Sequence, residues 1–313
     1  MDGSHRPERG SEMSDAKATN EIVVAVDGSD AGAAAVAWAA NAAAKRSAPL
    51  KLVTAYTMPQ FMYADGMIPP QELYDQLEEE AMAKINEARE LVRSFDENIE
   101  VSYYIAESTP IDLLLQLSEE ADIVVMGSRG LGGLSGLVLG SVSSAVVSHA
   151  SSPVVVVRKD NDVTVNNKYG PVVVGVDGSD VSRKALEYAF READARGATL
   201  RAVHSWADAQ VQTSLVGLAA VQSQLDSMSA QERKILQDEI APMREKYPDV
   251  KVEEVVDRDR PIQVLKDNAD DAQLLVLGSH GRGGFRGMLL GSTSRALLQY
   301  APCPMMVVRP TSK

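Results

Sequence analysis

Short runs of apolar, often β-branched residues alternate with longer segments of helical periodicity along the chain. Such a run, bounded by turn residues, is typical of a strand that is buried on both faces of a sheet. Ten runs are recognisable, five in each half: 22–26, 50–56, 100–106, 122–127 and 153–158, then 172–176, 200–206, 251–257, 274–278 and 304–309. Because strands and helices alternate, the pattern predicts a parallel, doubly wound sheet with helices on both faces.

The segments between the runs are predicted to be helices. Two long, charged segments, at about 71–95 and 222–246, have the amphipathic period of helices with solvated outer faces. Shorter helices are predicted over Pro110–Glu120 and Pro261–Ala269, each with proline near its first turn.

The two halves of the chain repeat one another. Residues 23–30 read VVAVDGSD and residues 173–180 read VVGVDGSD. Residues 121–158 and 272–309 align without a gap and match at 18 of 38 positions. A period of 150 to 151 residues is the size of a whole domain and not of a solenoid repeat. The fold class is therefore α/β, with two tandem doubly wound domains that each contain a five-stranded parallel sheet.

The domain limits follow from the repeat and from polar segments around it. Residues 1–20 are polar and are predicted to form a disordered tail, and the first domain covers 21–158. Residues 159–169 are rich in Asn and Asp, show no periodicity and are predicted to form a linker. The second domain covers 170–310.

Two polar motifs follow the first and fourth strands of each copy. Asp-Gly-Ser-Asp occupies 27–30 and 177–180, and a glycine-rich loop of the form G-x2-G-x9-G-S occupies 127–141 and 278–292. Ligands of doubly wound sheets bind beyond the carboxyl ends of the strands, where both motifs are expected to meet. Glycine permits positive φ and close approach of phosphate oxygens, and the amides of the following helix favour an anion. Each copy is therefore predicted to bind phosphate.

The loop differs from two familiar phosphate motifs. It lacks the Gly-Lys-Ser/Thr of a Walker A loop. It also lacks the G-x-G-x-x-G fingerprint of dinucleotide-binding proteins and follows the fourth strand instead of the first.

With these motifs, residues 21–310 resemble the universal stress protein family in its tandem, two-domain, ATP-binding form. The DGS after strand one, the glycine-rich loop and the closing valine strand are the matching features. The resemblance implies a Rossmann-like fold of the adenine nucleotide alpha hydrolase type, with ATP, alone or with Mg²⁺, as the ligand. It implies nucleotide contacts from Asp27, Gly28, Ala55, Gly127, Arg129, Gly130, Gly140 and Ser141, and from Asp177, Gly178, Ser205, Gly278, His280, Gly281, Gly291 and Ser292.

The copies also differ from each other and from the family. Arg129 and His280 occupy equivalent positions in the two loops, so the two sites are expected to differ in affinity. Thr109 and Arg260 precede the prolines of the third helices, where family members often have glycine.

Composition excludes several function classes. The formal net charge is −13, whereas a surface that binds DNA or RNA is expected to be basic. No apolar run has the length of a membrane span, and residues 1–20 lack the apolar core of a signal peptide. The single cysteine, Cys303, excludes an internal disulfide and a Cys-rich metal site, which is consistent with a cytoplasmic protein.

Several functions are compatible with these residues. The first is a regulatory binding module with one ATP per domain; a role in the stress response is what the resemblance implies. The second is a slow ATPase, although the two loops share no His or Glu that could act as the general base. The third is a protein that binds AMP or cyclic AMP, and the fourth is an assembly protein in which ATP is structural. The resemblance also implies that strands 153–158 and 304–309 pair as an internal pseudo-dimer and that whole chains form a homodimer.

Simpler interpretations exist for individual residues. The loop glycines can be plain turns, and Asp27 and Asp177 can be helix caps. His149 and His204 are expected to be structural, and Cys303 to be inert packing.

Overall fold

The computed structural model describes residues 20–58, 70–130, 139–159, 169–206, 218–282 and 289–310. Most of the predicted tail and linker lie outside these ranges. The first domain contains β1 (Ile22–Ala25), α1 (Asp30–Arg46), β2 (Leu50–Tyr56), α2 (Gln71–Phe95), β3 (Val101–Glu107), α3 (Pro110–Leu117), β4 (Ile123–Gly127), α4 (Ser141–His149) and β5 (Val154–Val157). The second contains β6 (Val172–Gly175), α5 (Asp180–Arg196), β7 (Leu200–Ser205), α6 (Leu218–Lys246), β8 (Val252–Asp257), α7 (Pro261–Asn268), β9 (Leu274–Gly278), α8 (Ser292–Tyr300) and β10 (Met305–Val308).

The strands form one sheet of ten, in the order β3-β2-β1-β4-β5-β10-β9-β6-β7-β8. Within each half the five strands are parallel, which confirms the predicted fold class. The halves meet where β5 and β10 pair antiparallel, with Met306 opposite Val155. The closing strands of the two domains therefore pair within one chain, as the resemblance implied.

The helices cover both faces of the sheet. Trp38 of α1, Ile85 of α2, Phe190 of α5 and Leu236 of α6 belong to one apolar cluster that extends across both domains. Residues of α3, α4, α7 and α8 pack into a second cluster on the opposite face. Side chains of successive strand residues point to opposite faces, so the all-apolar strands contribute to both clusters.

A group of charges, most of them buried, joins the two domains on the first of these faces. In this interdomain ion cluster Arg46 donates to Asp122 at 2.9 Å and pairs with Glu192 of the other domain. Arg191 donates to both oxygens of Asp122, at 2.8 and 2.9 Å, and Arg196 donates to Glu192 at 3.0 Å. Burial, reinforced by the neighbouring Arg191, lowers the pKa of Arg46 to about 9 although Asp122 opposes the change. Removing one member would leave uncompensated charge inside the interface.

The helix boundaries differ slightly from those predicted. The helix predicted to reach Glu120 ends at Leu117, and the following residues form a turn. The long helix of the second domain begins at Leu218, before the predicted 222, and contains Pro242. Among the described helices none is long and apolar enough to cross a bilayer.

Candidate functional site

Each domain has a cavity at the carboxyl ends of its strands, where the sequence predicted that the two motifs meet. The first-domain cavity has a volume of about 260 Å³ and is lined by Asp27 and Gly130, among others. The second-domain cavity has a volume of about 490 Å³ and is lined by Asp177 and Gly281. Both motifs of each copy therefore lie at one cavity.

The DGS motif forms a left-handed turn that starts the next helix. Gly28 has φ +79° and Gly178 has φ +77°, a conformation that side chains disfavour. Ser29 is the N-cap of α1, and its hydroxyl accepts from Gly32 N at 3.0 Å. Asp27 accepts hydrogen bonds from the amide and the hydroxyl of Ser29, at 2.9 and 2.7 Å. The aspartate thus holds the capping serine, and it does not cap the helix itself.

The second domain repeats this turn with one additional contact. Asp177 accepts from the amide and hydroxyl of Ser179 at 3.0 and 2.7 Å, and also from the backbone amide of Arg282 at 2.9 Å. Burial raises the pKa of the Asp177 carboxyl, but the hydrogen bonds outweigh burial and leave that pKa below its ordinary value. Asp177 is therefore an acceptor that is held ionised between the DGS turn and the glycine-rich loop.

The glycine-rich loop is anchored at its base by main-chain hydrogen bonds. Ser128 N donates to Val157 O at 2.7 Å, and Gly140 N donates to Ser128 O at 2.8 Å. The Ser143 hydroxyl donates to Gly127 O at 2.9 Å. The second domain has the same arrangement, with Gly291 N donating to Ser279 O at 2.7 Å.

The loop ends in a helix whose N-cap is a glycine. Gly140 caps α4 and Gly291 caps α8, and neither helix receives a side-chain cap hydrogen bond. The first amides of an α-helix have no partner within the helix. A glycine cap leaves them available, and together with the helix dipole they favour an anion.

Positive φ was the expected reason for glycine in the two loops, and it is wrong for the loop glycines that the structure describes. Among the described residues of the two loops, no glycine has positive φ. Space is the constraint instead: a Cβ on Gly127 would lie 2.7 Å from the carbonyl carbon of Ala31, and a Cβ on Gly130 would lie 2.8 Å from Asp27 Oδ2. A Cβ on Gly281 would overlap Asp177 in the same way. These glycines allow the loop to approach the DGS turn.

Most of the predicted residues line the cavities. Those that do are Asp27, Ala55, Gly127, Arg129 and Gly130 in the first domain, and Asp177, Ser205, Gly278, His280, Gly281, Gly291 and Ser292 in the second. Gly28, Gly178, Gly140 and Ser141 do not line them. The inner glycines of both loops, such as Gly132 and Gly283, lie outside the described residues.

Sequence reasoning missed the apolar walls of the cavities. Val26, Val53 and Met126 line the first cavity, and Val176 and Val203 line the second. Their position in the sequence could have identified them, because they lie at or beside the carboxyl ends of strands already predicted. Lys84 of α2 also lines the first cavity and was hidden among many charged residues of that helix.

The described linings of the cavities combine apolar walls with helix N-termini and offer few ligands for a metal bound by protein alone. Apolar walls can hold a base while free helix amides hold phosphates. Asp27 and Asp177 are the carboxylates among the described lining residues, and no cluster of three or more metal-ligating side chains occurs in the described part of the chain. A single carboxylate could support Mg²⁺ only together with phosphate oxygens.

Comparison with known proteins identifies the family. The model of the Universal stress protein family matches residues 19–158 and again residues 168–309. A universal stress protein of Mycobacterium tuberculosis strain H37Rv is 41% identical over 304 residues, which cover 95% of this chain and 99% of that protein. The crystal structure of a universal stress protein from Archaeoglobus fulgidus, 20% identical, has a TM-score of 0.63 and covers 93% of this chain and 98% of that one. A universal stress protein solved in complex with cAMP is 28% identical, with a TM-score of 0.34, and covers 46% of this chain and 98% of that one. The chain belongs to the universal stress protein family, in its tandem two-domain form.

Proposed function

We propose that the chain is a regulatory protein of the stress response that binds one ATP in each domain. The observation that supports this most strongly is the pair of glycine-capped helices, α4 and α8, whose first turns border the cavities. Val142 and Ser143 of the first turn of α4 line one cavity, and Ser292 and Thr293 of α8 line the other. The location of these residues supports a phosphate site at the N-terminus of each helix.

The apolar walls of the two cavities support binding of a nucleotide base of moderate size. In the first domain the wall is formed by Val26 and Val53 with Leu113 of α3. In the second, Val176 and Val203 face Leu265 of α7. Ligand cavities typically measure about 300–1,000 Å³, a range that contains the second cavity and lies slightly above the first. Unequal occupancy of the two sites is part of the proposal.

Binding without rapid turnover fits the polar residues better than hydrolysis does. Hydrolysis needs a base positioned against the attacking water. In the first cavity the carboxylate of Asp27 is engaged by Ser29. In the second, His280 Nδ1 lies 3.0 Å from the hydroxyl of Ser279, and the first domain has Arg129 at that position. We therefore propose that any ATPase activity is slow.

Assembly of whole chains must use a surface other than the closing strands. β5 and β10 already pair with each other, so neither offers a free edge to a second copy. The strands at the two ends of the sheet are β3 and β8, and β3 exposes Tyr103 and Tyr104. We propose a cytoplasmic homodimer that leaves the internal pairing intact; sedimentation equilibrium of the full chain tests it.

The nucleotide proposal is tested by identifying what the purified protein carries. The protein is denatured after extended purification, and the released small molecules are identified by mass spectrometry. ATP is the expected product, and ADP as the main product would favour hydrolysis. AMP or cyclic AMP would replace ATP as the ligand. A protein that releases no adenine nucleotide and binds none that is added back would contradict the proposal.

A further inference from the structure

Lys84 is a basic residue of the first cavity that belongs to neither the DGS motif nor the glycine-rich loop. It lies on α2, is half-buried and lines the cavity together with Asp27 and Arg129. Its methylene chain crosses the DGS turn: a methyl group on Gly28 would lie 3.5 Å from Cγ of Lys84 and 3.7 Å from Cδ and Cε. The methylene chain thus lies against the turn, and Lys84 forms part of the cavity wall.

The ammonium of Lys84 has no counter-charge among the described residues. None of the salt bridges between them includes Lys84, and one oxygen of Asp27, the nearby carboxylate, is occupied by Ser29. A half-buried lysine that lacks an ion-pair partner can donate to an anion that binds beside it. An anionic ligand in the cavity would supply that partner.

The second domain places its cation differently. α2 and α6 end at Phe95 and Lys246, each six residues before the next strand, so Lys84 corresponds to Ile235. Over Gly178 lies instead the guanidinium of Arg282, which belongs to the glycine-rich loop. Both domains therefore place the side chain of a basic residue over the left-handed glycine, one from a helix and one from the loop.

We propose that Lys84 is a specificity-determining residue of the first site, which recognises the polyphosphate chain and favours ATP over AMP. This rests on the proposed function, because it assumes that the first cavity takes an adenine nucleotide. The ammonium is a strong, compact donor to phosphate, and its contribution grows with the charge of the ligand. Arg129 lines the same cavity and adds to the preference.

The experiment isolates the first site and varies the ligand charge. In a Gly281→Arg background, which blocks the second cavity, the affinities for ATP, ADP and AMP are measured by calorimetry. Lys84→Met is expected to weaken ATP about tenfold or more, as for loss of a charged hydrogen bond, and AMP less than about twofold. Lys84→Arg is expected to keep the preference for ATP. Ile235→Met, the matched change in the second domain, is expected to leave all three affinities unchanged.

Two results would overturn the inference and leave the proposed function intact. One is an unchanged ATP affinity in Lys84→Met, and the other is an equal loss for ATP and AMP. Lys84→Gln, which keeps a polar but uncharged end, provides the same comparison if circular dichroism shows that the methionine variant is unstable. Absence of all nucleotide binding in the Gly281→Arg parent, with Lys84 intact, would instead overturn the first-site proposal itself.

Discussion

The two domains share the main-chain conformation of their sites and differ in the side chains around it. Both have a left-handed glycine after strand one and a glycine-capped helix after the loop. The first cavity, of about 260 Å³, has a lysine from a helix, whereas the second, of about 490 Å³, has His280 and Arg282 from its loop. Anion binding by amides depends on backbone geometry, so the two copies can differ in size and charge and still keep a backbone arrangement that favours an anion.

The largest expected effect concerns a residue that only the second domain has. Glu192 is 1% exposed and lies in the interdomain ion cluster, whereas the corresponding residue of the first domain is Ala42. Glu192→Ala should destabilise the chain by about 3–5 kcal/mol, because it leaves the buried Arg196 without its acid and Arg46 with Asp122 alone. Urea unfolding measures the loss.

The control for that change is an ion pair with an exposed acid. Glu253→Ala removes the half-exposed partner of Arg201 and should cost at most about 1 kcal/mol. Equal losses for the two variants would show that the ion cluster does not stabilise the interface.

The glycines at the ends of β4 and β9 should respond unequally to a methyl group. A Cβ on Gly127 would meet main-chain atoms of Ala31 and Gly32 at 2.7 to 2.9 Å, whereas a Cβ on Gly278 would first meet the side chain of Val181 at 3.0 Å. Gly127→Ala should therefore cost about 1–3 kcal/mol, as in other overpacked cores, and Gly278→Ala clearly less, since a side chain can move. Thermal unfolding of the two variants provides the comparison, and the opposite ranking would refute it.

A polar pair in the second domain occupies positions that hold two smaller residues in the first. His204 is buried, with Nδ1 2.7 Å from Val176 O and Nε2 2.9 Å from a carboxylate oxygen of Glu232. The corresponding residues of the first domain are Thr54 and Ala81. His204→Thr and Glu232→Ala should each cost about 1–2 kcal/mol, and the double variant less than their sum. Strict additivity in a double-mutant cycle would show that the pair is not coupled.

The smallest effect is expected in acid and involves Asp177. Its folded-state pKa lies below the ordinary value, so the unfolded chain binds the proton more readily. The resulting stabilisation is present above the unfolded-state pKa of about 3.9 and is lost as the pH falls through the lower folded-state pKa. Asp177→Asn should flatten the acid limb of the stability curve without changing its shape above pH 5. An unaltered acid limb would contradict this assignment.

The sequence was sufficient to predict the order of strands and helices along the chain and the meeting of the two motifs at the carboxyl ends of the strands. The apolar runs correspond to all ten strands, and both motifs lie at the predicted cavities, because strand ends and turn residues are local signals. The interdomain ion cluster could not be predicted in the same way. Arg46 and Glu192 resemble ordinary surface charges of amphipathic helices, and only the packing of α1 against α5 shows that they are buried.

Other features required three-dimensional distances. The spacing of glycines predicted a phosphate loop, but it could not show that Gly130 is small because Asp27 approaches it. Likewise, Lys84 belongs to the cavity only because α2 packs beside the DGS turn, a contact between residues more than fifty positions apart.

The number of nucleotides bound per chain tests the central proposal most directly. ATP is titrated by calorimetry into nucleotide-free protein, into Gly130→Arg, into Gly281→Arg and into the double variant, each checked for native circular dichroism. We expect two sites in the parent chain, one in each single variant and none in the double variant. If the folded double variant binds ATP as tightly and with the same stoichiometry as the parent, the glycine-rich loops are not the nucleotide sites.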